Sequence, residues 1–272
     1  KGFLEISRAV IRYEQAGTVE VRHCWTEMGQ GVHTVALQVA AEELGIDADR
    51  IKVIVDTTRE LGAGQTTGSR GTLMAAGGVA DACRVANENG QAPGVDYLGE
   101  YRVEWTNALE ENLENPIIHS AFGYACQLAI ADKATGKIEK VVAAHDVGRA
   151  VNPLLAIGQV EGAVHMGLGY ALTEEFPTDD DAQPTNWTLR SLGILRAKDM
   201  PEVETVLVEE LAQCDGNGHR SVACESAIRE FLIEFLYQVC WHGYFGPPCA
   251  VCVLHANHLR IQGMAFCVGS VR

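Results

Sequence analysis

The stretch TVEVRHCWTEMGQGVHTVALQVAAEELGIDADRIKVIVDT, residues 18–57, has the pattern of a strand, a helix and a second strand. β-branched side chains predict strands at its two ends, over residues 18–25 and 50–57. Between them, residues 32–46 carry apolar side chains near helical spacing, and Gly45 can end the helix. This β-α-β unit predicts a mixed α/β fold (α/β with α+β character).

Gly29, Gln30 and Gly31 stand at the junction between the first strand and the helix. The start of a helix exposes unpaired N–H groups that suit an anion, and glycines let the backbone approach a ligand closely. The Gln30 amide can both donate and accept hydrogen bonds. An ordinary strand-to-helix turn explains the same residues, because a P-loop lysine and the third glycine of a dinucleotide fingerprint are both missing.

A second glycine-rich loop, residues 61–72, leads into another predicted helix, residues 73–89. Its hydroxyl side chains, at Thr66, Thr67, Ser69 and Thr72, are interspersed with Gly68 and Gly71. Two such loops can converge on one polyanionic ligand, although two separately capped helices would give the same pattern.

The rest of the chain alternates strands and helices. Residues 90–116 are polar and predict a loop, whereas residues 120–148 predict a hairpin with an Ala-Thr-Gly turn. A helix is predicted over residues 150–176, with Asn152 as its cap and proline at the first helical position. Residues 202–210 predict a further strand, which completes the β-α-β units with long connections.

Composition excludes several classes of partner. The formal net charge of −15 argues against nucleic acid and against an anionic membrane surface. No apolar run reaches the roughly 18 residues that a membrane span needs. The chain begins without an apolar leader, so we expect a cytoplasmic protein with reduced thiols. Since its first residue is not methionine, we expect the sequence to be a segment of a longer chain.

Three segments together resemble the molybdenum hydroxylase family, the group of xanthine dehydrogenase and aldehyde oxidase. They are TEMGQGVHTVALQVAAEELGI (26–46), TTGSRGT (66–72) and HDVGRAVNPLLAIGQVEGAVHMGLGYALTEEF (145–176). Their order and spacing resemble the second half of the molybdopterin-binding subunit over about residues 1–210. The resemblance therefore implies half of a molybdopterin-binding domain in residues 1–210, followed by an atypical tail in residues 211–272.

The family binds molybdopterin, often as the cytosine dinucleotide. The resemblance implies that a backbone amide near Gly68 lies beside the molybdenum and that no side chain ligates the metal. It also implies that the first loop's glycines bring N–H groups against the cofactor's pyrophosphate. The cofactor-binding positions that it implies are Gly29, Gln30, Gly31, Thr67, Gly68, Ser69, Arg70 and Gln159.

The reaction that the resemblance implies is hydroxylation of an N-heterocycle such as a purine, with water as the oxygen source. An aldehyde oxidoreductase is the alternative within the family. Iron–sulfur clusters and FAD on other domains or subunits would take the electrons, and the N-terminal half of the molybdopterin subunit would complete the site for the small-molecule substrate. This chain is then a fragment that is not active alone.

The family's catalytic glutamate lies in a Gly-Val-Gly-Glu motif, where this sequence has GNGHRSVACES (216–226). Glu225 is the nearest candidate for the general base, a role that burial favours by raising a carboxyl pKa. A reading-frame change near residues 211–226 and a divergent tail both explain the departure, and crowded cysteines with few charges favour the first. A non-catalytic decayed paralogue or an assembly module is therefore the alternative from another class.

The tail also contains a Cys-x2-Cys pair followed by two histidines: Cys249, Cys252, His255 and His258. The histidines follow after only two residues, whereas a zinc finger places about a dozen residues between its cysteine and histidine pairs. We therefore predict no metal site formed by side chains of this chain.

Overall fold

A computed structural model gives the fold. It describes residues 5–15, 17–58, 61–62, 66–104, 106–107, 111, 113–114, 124–132 and 134–209, and the backbone of 251–253. These residues form two compact units. The first comprises the described residues up to 114 together with Arg149–Leu155, and the second comprises those from 124 to 148 and from 156 onward.

The first unit is built on a four-stranded sheet with the order β3-β2-β1-β4. Strand β1 pairs antiparallel with both of its neighbours, β2 and β4, whereas β2 and β3 run parallel. The strands are β1 (Ile6–Tyr13), β2 (Val19–His23), β3 (Ile51–Val55) and β4 (Asp96–Arg102).

Two helices, α1 (Val32–Leu44) and α2 (Gly71–Glu88), pack on this sheet and bury its core. Gly45 ends α1 in the left-handed conformation, with φ of 64°. The core combines small helix residues with branched strand residues, which allows close approach between the layers. Its fully buried members include Ile11, Val19, Val21, Ala36, Ala40, Val79, Ala82 and Ala86. The β2-α1-β3 arrangement confirms the predicted β-α-β unit.

The prediction of a polar loop over residues 90–116 is wrong, because β4 lies within it. Strand β4 pairs with β1 from Ile6↔Arg102 to Arg12↔Asp96. Its residues alternate between exposed and buried, and the buried positions include Tyr97 and Gly99. A glycine at a core position removes the apolar signal that would have marked this strand.

The second unit holds a second four-stranded sheet with the order β7-β6-β5-β8. Strands β5 (Tyr124–Ala131) and β6 (Ile138–Asp146) form the predicted antiparallel hairpin. Strand β7 (Glu202–Val208) runs parallel to β6, and the short β8 (Val251–Val253) pairs with β5.

Helix α3 (Pro153–Leu172) begins as predicted, since the Asn152 side-chain oxygen accepts the Leu155 N–H at 3.0 Å. Further along, Val160, Val164 and Leu168 of α3 pack on Val141 and Ala143 of β6 to form the core of the second unit. Among the described residues, no helix has the length and apolar character needed to cross a lipid bilayer.

Candidate functional site

Two glycine-rich connections lie side by side in the first unit. We define the first elbow as residues 25–31, between β2 and α1, and the second elbow as residues 66–70, before α2. The backbone N–H of Thr26 donates to the Thr66 hydroxyl at 3.1 Å, which joins the two elbows. The two elbows that contain the predicted cofactor residues 29–31 and 67–70 are therefore in contact at Thr26 and Thr66.

The two glycines of the first elbow have different surroundings. Both have positive φ values, 106° at Gly29 and 86° at Gly31, which favour glycine. A Cβ atom at Gly31 would lie 2.5 Å from Leu155 Cδ1, whereas a Cβ at Gly29 would meet nothing within 4 Å. Gly31 is therefore a packing position, and Gly29 is the open face of the elbow.

The N–H groups of the first elbow are bound by a side chain that the sequence reading did not single out. Glu27 Oε1 accepts the N–H groups of Gly29 at 2.8 Å and Gly31 at 2.9 Å, and Glu27 Oε2 accepts that of His33 at 3.3 Å. Burial opposes the ionisation of Glu27, but the three N–H donors outweigh it and lower its pKa. The resemblance implies that these N–H groups donate to a pyrophosphate, but here they already donate to the carboxylate of Glu27.

Gln30 is also engaged within the elbow. Its Nε2 donates to the Thr26 carbonyl at 2.7 Å, and its Oε1 accepts the Met28 N–H at 2.6 Å. Met28 is exposed at the tip. The elbow is therefore held in one shape by its own side chains.

The second elbow contains an unusual backbone. Gly68 has φ of 61° and Ser69, a residue with a Cβ, has φ of 45°. Thr67 is exposed, whereas Gly68 and Ser69 are half-buried. Gly71, the first residue of α2, has open space where a Cβ would stand. The first residue of α2 is therefore half-buried and leaves room beside its backbone.

Arg70 points into the protein core and is 3% exposed. Its Nη1 lies 2.9 Å from Glu5 Oε1 in an ion pair whose two side chains are both largely buried. The guanidinium also lies over the Trp25 ring, 5.8 Å from its centroid, and the Trp25 indole N–H donates to the Ser7 hydroxyl at 2.9 Å. Arg70 thus ties the second elbow to the first elbow and to the residue before β1.

Two histidines flank the first elbow in the sequence, the buried His23 and the half-buried His33. The rings of His23 and His33 are 5.2 Å apart, and His23 Nδ1 accepts the Trp25 N–H at 3.1 Å. This contact makes the neutral His23 carry its proton on Nε2. Among the described residues, that Nε2 has no hydrogen-bond partner, and neither has Nε2 of His33. Burial, assisted by His33, lowers the pKa of His23 to about 4 against the opposing effect of Glu27.

We expect acid to weaken the first unit through His23. Its folded pKa of about 4 lies below the unfolded value, so the unfolded chain takes up the proton first as the pH falls. Stability is lost between about pH 7 and pH 4, by about 3 kcal/mol for this group. Urea unfolding across this pH range tests it, with His23→Asn as the non-titrating variant. Parallel pH curves for the two proteins would contradict the assignment.

The second unit contains a comparable buried polar pair. His145 Nε2 lies 2.7 Å from Gln127 Nε2, and burial lowers the pKa of His145 to about 4. Gln127 Oε1 and the Thr205 hydroxyl are buried without partners among the described residues. Periodicity treats these positions as ordinary strand residues, and only the three-dimensional pairing of β5, β6 and β7 brings them together.

The remaining predicted site residues lie elsewhere. Gln159 lies in the second unit, half-buried on α3 next to the buried Val160. Glu225 lies outside the described residues. The same holds for the side chains of the cysteine and histidine cluster at 249–258.

The match to a protein family covers most of the chain. The model of the molybdopterin cofactor-binding domain matches residues 1–98 and 85–201. A similar protein is the gamma subunit of the 6-hydroxypseudooxynicotine dehydrogenase complex of Paenarthrobacter nicotinovorans, 28% identical over 79% of this chain and 31% of that protein. Xanthine dehydrogenase/oxidase of Rattus norvegicus is 30% identical over 64% of this chain and 15% of that protein.

The fold also resembles that of solved structures. Aldehyde oxidoreductase from Desulfovibrio desulfuricans superposes with a TM-score of 0.69 at 24% identity, over 85% of this chain and 28% of that one. Quinoline 2-oxidoreductase from Pseudomonas putida gives a TM-score of 0.66 at 18% identity, over 85% and 35%. The chain therefore spans about a third, or less, of the length of these relatives.

Proposed function

Because the chain belongs to the molybdenum hydroxylase family through its molybdopterin cofactor-binding domain, we propose that its two elbows form part of a molybdopterin site. The observation that carries this proposal is the hydrogen bond from the Thr26 N–H to Thr66, which holds both glycine-rich connections at one place. In sequence the two elbows lie about 40 residues apart, yet each one leads into a helix of the same layer.

The two elbows offer room for molybdopterin, but the N–H groups of the first elbow are not free to bind its phosphates. The open positions at Gly29 and Gly71 leave room for a bulky group to lie against bare backbone. The N–H groups of Gly29 and Gly31 do not fit a pyrophosphate, because Glu27 already accepts them. We therefore assign the first elbow to an uncharged part of the cofactor and keep Gln30, Thr67, Gly68 and Ser69 as proposed contacts.

The proposed reaction is hydroxylation of an N-heterocycle such as a purine, with oxygen from water. Molybdopterin would supply the metal centre that exchanges electrons with the substrate. The elbows bind and orient the cofactor, and Arg70 holds the second elbow in place through Glu5 and Trp25. Glu225 is the proposed general base that takes the proton from water.

Other parts of the assembly are proposed from the relatives. Their names describe subunits of complexes and molybdenum-binding subunits. We propose that an N-terminal half of the molybdopterin subunit completes the site and that iron–sulfur and flavin domains or subunits carry the electrons away. The cytosine dinucleotide is the proposed form of the cofactor.

One experiment tests the proposed function. The full-length protein is purified from cells supplied with molybdate, and its molybdenum, pterin and cytidine contents are measured. It is then assayed with a purine and with an aldehyde, because relatives carry both kinds of name. Turnover of the purine supports the proposed substrate, whereas turnover of the aldehyde alone supports the alternative. Absence of molybdenum and pterin overturns the proposed site and leaves the decayed paralogue or assembly module.

A specific variant tests the role of Gln30. We expect Gln30→Ala in the full-length protein to lower the molybdenum and pterin content per chain, because the loss of its bonds to Thr26 and Met28 loosens the elbow that we propose to hold the cofactor. Asn87→Ala is the matched control, since it removes an exposed amide near the other end of α2. Equal molybdenum contents in wild type and Gln30→Ala would remove Gln30 from the site.

A further inference from the structure

We propose that Glu27 is the positioning residue of the first elbow: its carboxylate fixes the elbow's shape and closes the start of α1 to any second anion. The inference rests on the proposed function only where it concerns the cofactor. It starts from one observation, that a single side chain accepts three backbone N–H groups on both sides of Gln30.

The geometry requires a carboxylate. Oε1 accepts two N–H groups and Oε2 accepts a third, so both oxygens must be acceptors. A glutamine offers one acceptor oxygen and places an NH₂ group against the His33 N–H. An aspartate has the right charge but is one methylene shorter. Glu27 is thus the only ordinary side chain that serves all three donors at this position.

The three bonds also hold backbone conformations that are otherwise uncommon. Gly29 and Gly31 both adopt positive φ, and Gly31 caps α1 without a side chain of its own. Glu27 supplies the missing helix cap from four residues upstream. Since the Gln30 amide bonds to Thr26 and Met28, the shape that Glu27 imposes also decides where Gln30 stands.

The charge of Glu27 determines which ligand group can lie at this helix start. A negative charge near the N-terminus of a helix is favourable, and Glu27 already provides it. A phosphate at the same N–H groups would have to approach within a few ångströms of the carboxylate, where like charges repel. The first elbow therefore selects an uncharged, hydrogen-bonding part of the cofactor and excludes its phosphates.

Hydrogen exchange tests the shape. In the full-length protein, we expect deuterium uptake by the segment 26–34 to be at least about tenfold faster in Glu27→Ala than in wild type. Glu43→Gln is the matched control, because it neutralises an exposed carboxylate near the other end of α1 and should leave the segment unchanged. Unchanged uptake in Glu27→Ala would overturn the inference.

Inorganic pyrophosphate tests the charge. Glu27→Gln keeps one acceptor oxygen for the elbow but removes the negative charge, so it also serves if the alanine variant does not fold. We expect pyrophosphate to slow deuterium uptake by the segment 26–34 in Glu27→Gln and not in wild type. Equal responses of the two proteins would overturn the exclusion of anions.

Molybdenum content links Glu27 to the cofactor. We expect Glu27→Ala to lower the molybdenum per chain severalfold and Glu27→Gln to lower it less. Normal molybdenum in a Glu27→Ala protein with fast exchange would overturn the role of Glu27 in cofactor retention. If wild type itself contains no molybdenum, the proposed function fails, and the exchange experiment alone decides whether Glu27 positions the elbow.

Discussion

Gly99→Ala is expected to prevent stable folding of the first unit. Gly99 lies in β4 with its Cα facing α2, and an added Cβ would overlap the backbone nitrogen of Ala82 and stand 2.5 Å from its Cα. Neither the strand nor the helix can yield alone, because β4 is paired with β1 along its whole length. Forcing even one methyl group into a packed interior costs about 1–3 kcal/mol, and contact with backbone rather than side chain places this case at or above the upper end.

The measurement is urea unfolding of the purified protein, together with its soluble yield. Gly71→Ala is the matched control: it adds the same methyl group at the start of α2, where a Cβ meets nothing within 4 Å. We expect the control to remain soluble and to unfold close to wild type. Similar stability for Gly99→Ala and Gly71→Ala would show that α2 does not press against β4 as closely as described.

Gly99 also shows why β4 was not predicted from sequence. Strand signals rest on branched and aromatic residues that alternate with polar ones, and β4 places a glycine where that pattern needs an apolar side chain. The close helix contact that requires glycine involves Ala82, 17 residues earlier in the chain, so no local pattern reveals it. Strand β1 was likewise not predicted, although it is central to the sheet and pairs with two partners.

The sequence did predict the elements whose signals are local. The helix start at Asn152, the end of α1 at Gly45 and the hairpin of β5 and β6 all depend on residues within a few positions of each other. The position of the first elbow between strand and helix was predicted for the same reason. The contacts of the elbow were not, because the Thr26 to Thr66 bond joins residues 40 positions apart. Glu27 could have been noticed, since an acidic residue shortly before a helix is a common N-terminal signal.

Arg70 is the residue for which the local sequence motif and the long-range contacts of the structure differ most clearly. The resemblance implies that Arg70 contacts the cofactor, whereas its guanidinium is buried against Glu5 and the Trp25 ring. Its partner Glu5 lies 65 residues away in the sequence, so spacing gives no indication of the pair. Both side chains are almost inaccessible to solvent, so removing one of them leaves the other as a buried, unpaired charge and lowers the free energy of unfolding.

Arg70→Met is therefore expected to destabilise the first unit whether or not a cofactor is bound. Removing the cation leaves the Glu5 carboxylate buried and uncompensated, which costs about 3–5 kcal/mol. We expect the urea midpoint of protein produced without molybdate to fall accordingly, and the double variant Glu5→Gln with Arg70→Met to recover part of the loss. Arg84→Met is the matched control on the same helix, because Arg84 pairs with Asp81 and Glu88 at the exposed surface and its loss should be hardly measurable.

The same experiment distinguishes a structural arginine from a ligand-binding one. An arginine that served the cofactor alone would leave the urea midpoint of the molybdenum-free protein unchanged and lower only the molybdenum content. If Arg70 anchors the second elbow, its replacement lowers both the urea midpoint and the molybdenum content. Adding Glu5→Gln to Arg70→Met removes the buried charge and raises the midpoint, but it does not restore the contact with Trp25. In this double variant the urea midpoint would recover further than the molybdenum content. The reason is that the guanidinium over the Trp25 ring would no longer help the bond between Thr26 and Thr66 to hold the two elbows together.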